Sequence, residues 1–156
     1  MGRTDLERVL RDSNEAFNAR DWDRFERLHA EAVTVHGPMN LEPTKGRAAH
    51  RAWAEMLVRA FPDLRVETNR VAVEGDWICD ESTVVGTHQG PWRGPGQMEL
   101  PPTGKKVRFS MTTWTRVDGS EIVEERAYYD LLSLMGQLLG VEDFLADFMS
   151  RAAAKS

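Results

Sequence analysis

The sequence holds one cysteine, Cys79, so no disulfide can form within the chain. A lone thiol suits a reducing compartment. Its place in the strand-like run Trp77-Ile78-Cys79 marks it as a buried structural group rather than a reactive one. No apolar run approaches the roughly 20 residues of a membrane span, so no membrane partner is expected. The opening Met1-Gly2-Arg3-Thr4-Asp5 leads straight into an amphipathic pattern, with no apolar stretch of the secretory kind. The expected location is the cytoplasm. Positive charge is not in excess: 20 Lys and Arg stand against 25 Asp and Glu, a net charge of -5. Without a basic stripe, nucleic acid is not an expected partner, and the mild acidity is a solubility feature. Internal repeats, low-complexity tracts and linkers are lacking too. Gly94-Pro95-Gly96 has neither the helix-opening Gly nor the Lys-Ser/Thr of a phosphate loop. Ser110 and Ser133 have no Gly-x-Ser-x-Gly elbow around them, which removes the support for a serine hydrolase.

What remains is an ordinary globular composition, 41% hydrophobic and 29% charged over 156 residues. That predicts a single domain over 1–156, with 151–156 as a fraying tail. Thr4-Asp5-Leu6-Glu7 has a capping-box pattern, and Leu6, Val9, Leu10, Ser13 and Phe17 follow helical spacing. Asp21 is placed to cap a short second helix with Trp22, Phe25 and Leu28 on one face. Ala32 to His36 forms a strand stopped by Gly37-Pro38, and Gly46 to Phe61 a third helix ended by Pro62. From Leu64 the period changes to 2. Strands follow up to Val73, over Trp77 to His88, over Val107 to Val117, and over Glu121 to Tyr129 after the hairpin signal Asp118-Gly119. Gly90 to Lys105 is a Gly/Pro-rich loop, and two short helices finish the chain, Leu131 to Leu139 and Glu142 to Ala152. Helices first and a strand meander afterwards predict an α+β fold with helices on one face of an antiparallel sheet.

Local motifs carry a resemblance across nearly the whole chain. They are Ala16-Phe17-Asn18-Ala19-Arg20-Asp21, Val35-His36-Gly37-Pro38, Ala60-Phe61-Pro62-Asp63-Leu64, Gly86-Thr87-His88-Gln89-Gly90, Leu100-Pro101-Pro102-Thr103-Gly104-Lys105-Lys106-Val107, and Asp118-Gly119 followed by Ile122-Val123-Glu124-Glu125 and Tyr129-Asp130-Leu131-Leu132. In this order they resemble the SnoaL-like polyketide cyclases of the NTF2-like superfamily. The resemblance implies a cone-shaped fold, a curved antiparallel sheet around N-terminal helices with one small-molecule pocket. It implies aldol-type ring closure of a hydrophobic polyketide ester by an acid/base aspartate assisted by a histidine, with no metal and no cofactor. It also implies a homodimer formed through the outer face of the sheet. Many members carry Trp followed by Asp or Asn in the last strand, where this chain has Arg126-Ala127.

Ring closure of this kind needs a base beside a carbonyl and a donor for the enolate oxygen. Asp130, between Tyr128-Tyr129 and Leu131-Leu132, is the sequence's candidate base, and also a candidate helix cap. His88, at a strand end before a Gly-rich loop, is the candidate partner, or a histidine that fixes the turn. Candidate substrate contacts are His36, Trp53, Met111, Trp114, Tyr128, Arg126 and Trp92. Arg126 shares a strand face with Glu124 and Tyr128, a face that is either inside, for a substrate carboxylate, or outside, in a surface salt bridge. Trp92, in a loop with little to pack against, is the candidate pocket lid or subunit contact. His36, His50 and His88 have no ligand-type spacing, so no metal site is expected. Besides cyclisation or isomerisation, the same fold accommodates dehydration, epoxide opening, or ligand binding without catalysis.

Overall fold

The computed structural model describes residues 2–94 and 98–154, the side chains of residues 141–145 excepted. Pro95 and Gly96, with the last two residues of the tail, lie outside the described residues. The order is α1 (Arg3–Ala19), α2 (Trp22–Arg27), β1 (His29–His36), β2 (Thr44–Lys45), α3 (Arg47–Ala60), β3 (Arg65–Glu74), β4 (Trp77–Thr87), β5 (Trp92–Arg93), β6 (Glu99–Leu100), β7 (Lys106–Asp118), β8 (Glu121–Tyr129), α4 (Leu131–Leu139) and α5 (Val141–Ala153). The predicted α+β class holds. The sheet runs β2-β1-β8-β7-β4-β3, antiparallel except where β1 lies parallel to β8. Register shifts interrupt three of its ladders, at His29/Thr34, Thr68/Arg70 and Arg116/Val117. Such bulges add local twist and curl the sheet. Two small strands missing from the sequence reading, β5 and β6, pair within the Gly/Pro-rich loop. No helix among the described residues is long and apolar enough to cross a membrane.

α1 begins earlier than its Thr4 pattern predicts. Gly2 is the N-cap, and the Asp5 carboxylate accepts from the Gly2 N–H at 3.3 Å. Its far end is held by Arg20, the described non-glycine residue with a left-handed backbone (φ 61°). The Arg20 guanidinium donates to the carbonyls of Phe17, Pro62 and Leu64 at 3.0, 2.9 and 2.7 Å. Charged bonds to three carbonyls offset the roughly 1 kcal/mol or more that such a conformation costs. They also tie α1 to the junction of α3 and β3.

Two apolar clusters form the core. The smaller joins Leu6, Val9 and Leu10 of α1 to Val33, Ile78, Val117 and Ile122 of the sheet. The larger joins α1, α2 and α3 to Val84, Trp92, Val107, Leu134, Met135 and Leu138. β4 alternates strictly, with Ile78, Asp80, Ser82, Val84 and Gly86 turned inward. Two of those inward residues are polar, and they lead to the site.

Candidate functional site

A cavity of about 160 Å³ lies between α1, α3 and the concave face of the sheet, open on one side. Cavities of this size accept a single ring, so the enclosed space suits the reacting part of a larger molecule. α3 supplies His50, Trp53, Ala54 and Leu57, and Phe61 follows them, all at helical spacing along one face. The sheet supplies three cross-strand rows. Ile78 of β4, Thr115 of β7 and Glu125 of β8 form the first, Asp80, Thr113 and Ala127 the second, and Ser82, Met111 and Tyr129 the third.

The charged groups sit in these rows. Glu125 Oε2 lies 3.1 Å from His50 Nε2, and Glu125 Oε1 lies 3.8 Å from His29 Nε2. His29 is fully buried and its Nδ1–H donates to the Phe25 carbonyl at 2.7 Å, which leaves Nε2 turned toward the carboxylate. Burial opposes charge on Glu125, but the two imidazoles outweigh it and hold the carboxyl well below its usual range. Burial likewise opposes protonation of His29, and Glu125 outweighs it, raising the imidazole. Among the described residues, His29, His50 and Glu125 are the group with donor atoms close enough to share a metal ion, all within 4.8 Å of one another. The set His36, His50 and His88 weighed from sequence does not converge there.

Asp80 is 2% exposed and lines the cavity. The Ser82 hydroxyl donates to its Oδ2. Burial pushes the Asp80 carboxyl up to about 6, with the Ser82 bond opposing and the Glu125 charge adding. On the same face of the sheet, one row further along, burial pushes Tyr129 up to about 12, so its hydroxyl stays a neutral donor. The site therefore holds a carboxyl that changes charge near neutrality, a second carboxylate paired with histidine, and hydroxyls of Thr113, Thr115 and Tyr129.

Several residues chosen from sequence lie elsewhere. Asp130 is exposed and does not line the cavity; its carboxylate caps α4, accepting from the Ser133 N–H at 2.9 Å. A residue at the exit of a strand is free to turn into the next helix. His88 is fully buried outside the cavity lining, with its Nδ1 accepting from the Thr103 N–H at 3.2 Å and lying 3.1 Å from the Thr103 hydroxyl. Burial lowers its affinity for a proton, and it fixes the loop as a neutral ring. Tyr128, Arg126, Trp114 and His36 all belong to the outer face, because strand alternation that turns Glu125, Ala127 and Tyr129 inward turns their neighbours out. There Arg126 pairs with Glu124 at 2.7 Å, His36 lies 3.9 Å from the same carboxylate, and Trp114 packs edge-on against Trp77. Cys79 also faces outward and is half-buried. Trp53 and Met111 line the cavity. Trp92 lines it as well, buried at 2% exposure against Phe61 rather than exposed on its loop.

Sequence reasoning did not assign Asp80, His50, Glu125 or His29 to the cavity, yet Asp80 and His50 carried a signal. Asp80 shares alternation with Ile78 and Val84, and His50 precedes Trp53 and Leu57 by one and two helical turns. In both cases a polar residue stands in an apolar stripe.

Comparison with known proteins agrees with this architecture. Residues 7–138 match the sequence model of a family described as SnoaL-like polyketide cyclase. No curated protein matches the chain in sequence. Among solved structures, a candidate SnoaL-like polyketide cyclase from Jannaschia sp. CCS1 superposes with a TM-score of 0.78 at 23% identity, covering 88% of this chain and 93% of that one. IdmH, a candidate polyketide cyclase from Streptomyces antibioticus, gives 0.71 at 23%, covering 85% and 97%. AclR, a candidate hydroxylase from Streptomyces galilaeus, gives 0.73 at 22%, covering 88% and 97%. At such identities the likeness is one of fold.

Proposed function

The chain belongs to the SnoaL-like polyketide cyclase family, and on that premise we propose that it catalyses aldol-type cyclisation or isomerisation of a hydrophobic carbonyl compound, with Asp80 as the acid/base group. The supporting observation is a buried carboxyl, pushed up to about 6, in the wall of an apolar cavity. A base works best when its proton affinity lies near the working pH. At neutral pH most Asp80 is ionised and takes a proton from the carbon beside a carbonyl. The electron pair moves to the carbonyl oxygen, which accepts a hydrogen bond from Tyr129 or Thr113. The enolate carbon then attacks a second carbonyl, and protonated Asp80 returns its proton to the new alkoxide. In isomerisation the proton returns to carbon instead. Glu125, held low by its histidines, stays ionised throughout and is a poor base.

The test is proton exchange, which needs no knowledge of the natural substrate. Wild-type protein should accelerate exchange of the α-protons of 2-indanone in deuterated buffer, followed by NMR. Asp80→Asn should remove that acceleration, a loss of about 10²–10⁴-fold. An Asp80→Asn variant exchanging at the wild-type rate overturns the assignment.

One observation favours a second reading, ligand binding without catalysis. Ala127, which stands where the family resemblance leads one to expect Asp or Asn, faces inward and offers no acid/base group. That reading expects 2-indanone to bind with no exchange above buffer.

A further inference from the structure

The charge balance of the cavity wall has a consequence for what can enter. Among the described residues that line it there is no lysine or arginine; its charged or chargeable groups besides Tyr129 are His50, Asp80 and Glu125. Glu125 is already met by His50 at 3.1 Å and by His29 at 3.8 Å. Asp80 has no ion-pair partner among the described residues, and the side chain bonded to it is the uncharged Ser82. Thr113 lies beside it on β7, and the cavity it faces has Phe17, Trp53, Phe109 and Tyr129 in its wall. Inside such a wall charges are weakly screened, so an unpaired anion is costly and a counter-charge is worth more than in water. Aromatic faces add attraction for a cation.

We propose that this cavity selects its ligands by charge, receiving an apolar amine at Asp80 in preference to the neutral counterpart and refusing the matching carboxylate. The ammonium donates to the Asp80 carboxylate, while its ring fills the aromatic space. A carboxylate in the same pose brings a third negative charge into a wall with no free cation. An amine so bound occupies the acid/base group and is a competitive inhibitor. The inference deepens the reading of Asp80 as the reactive group, but it is tested by binding alone, so either can fail without the other.

The experiment is calorimetric titration of the full chain at pH 7.5 with three compounds of one shape, 2-aminoindane, 2-indanol and indane-2-carboxylate. The amine should bind at least about tenfold more tightly than the alcohol, the scale of one hydrogen bond to a charged group. The carboxylate should bind at least about tenfold more weakly than the alcohol. Asp80→Asn should abolish the amine's advantage, bringing the ratio of amine to alcohol affinity down to about one. The proposal is overturned if the carboxylate binds as well as the alcohol, if the amine has no advantage, if none of the three binds, or if the advantage survives in Asp80→Asn. Should that variant not fold, the three wild-type titrations still decide.

Discussion

Asp80 shows how one side chain couples stability to pH. In the unfolded chain it titrates at its ordinary 3.8, and in the fold at about 6. The fold thus favours the protonated form. The stability Asp80 contributes is fully present below pH 3.8 and is lost as pH rises through about 6. A shift of this size corresponds to at most about 3 kcal/mol. Asp80→Asn, a neutral isostere that still accepts from Ser82, should therefore be more stable than wild type at pH 8 by about 1–3 kcal/mol. The gain should vanish near pH 4. Urea unfolding at both pH values checks this, and a variant less stable than wild type at pH 8 contradicts it. Glu125 has the opposite sign. Its contribution is present above its ordinary 4.5 and is lost only as pH falls well below that value.

At the scale of elements, the junction of α3 with the loop after β4 carries the wall of the cavity. The N–H groups of Gln89 and Gly90 both donate to the Ala60 carbonyl, at 2.9 and 3.0 Å, and so satisfy the end of α3. This brings Gly90 so near the helix that a Cβ there would lie 2.1 Å from the Arg59 carbonyl oxygen. Backbone cannot yield as a side chain can. Gly90→Ala should cost about 3 kcal/mol, the upper end of overpacking, and lower the urea midpoint at an unchanged slope. The same change should loosen the segment holding His88 and Trp92, seen as weaker protection of its amides from hydrogen exchange. An unchanged midpoint would show that this close approach does not exist in solution.

For the whole molecule, the curled sheet has two unlike faces. The concave one is covered by helices. The convex one displays Trp77, Trp114 and Tyr128 around the Glu124 ion pairs with Arg116 and Arg126, and Tyr128 is 57% exposed. We propose a homodimer contact on this convex face, since exposed aromatic groups gathered on one surface gain by being covered. Light scattering at micromolar concentration should give about twice the monomer mass of 17.7 kDa. Trp114→Glu should shift it to the monomer without loss of helix or strand content. A monomeric wild type refutes this contact.

The sequence by itself determined the order and ends of most elements and, through its motifs, the fold. Hydrophobic period, Gly/Pro punctuation and capping residues are local, so α2 with Asp21 as its cap, the α3 stop before Pro62 and the Asp118-Gly119 hairpin were all legible. The cavity contacts Trp53 and Met111 were legible too, as large apolar residues on the inward stripe. The centre of the site was not. Glu125 meets His29 and His50 only because β8 lies beside β1 and α3 crosses above them, contacts between residues far apart in the chain. Alternation tells which residues share a face but not which face is inside. The choice between Arg126 with Tyr128 and Glu125 with Tyr129 was therefore left to tertiary packing. So was the difference between Asp130, which turns away to cap a helix in water, and Asp80, whose burial raises its carboxyl's affinity for a proton.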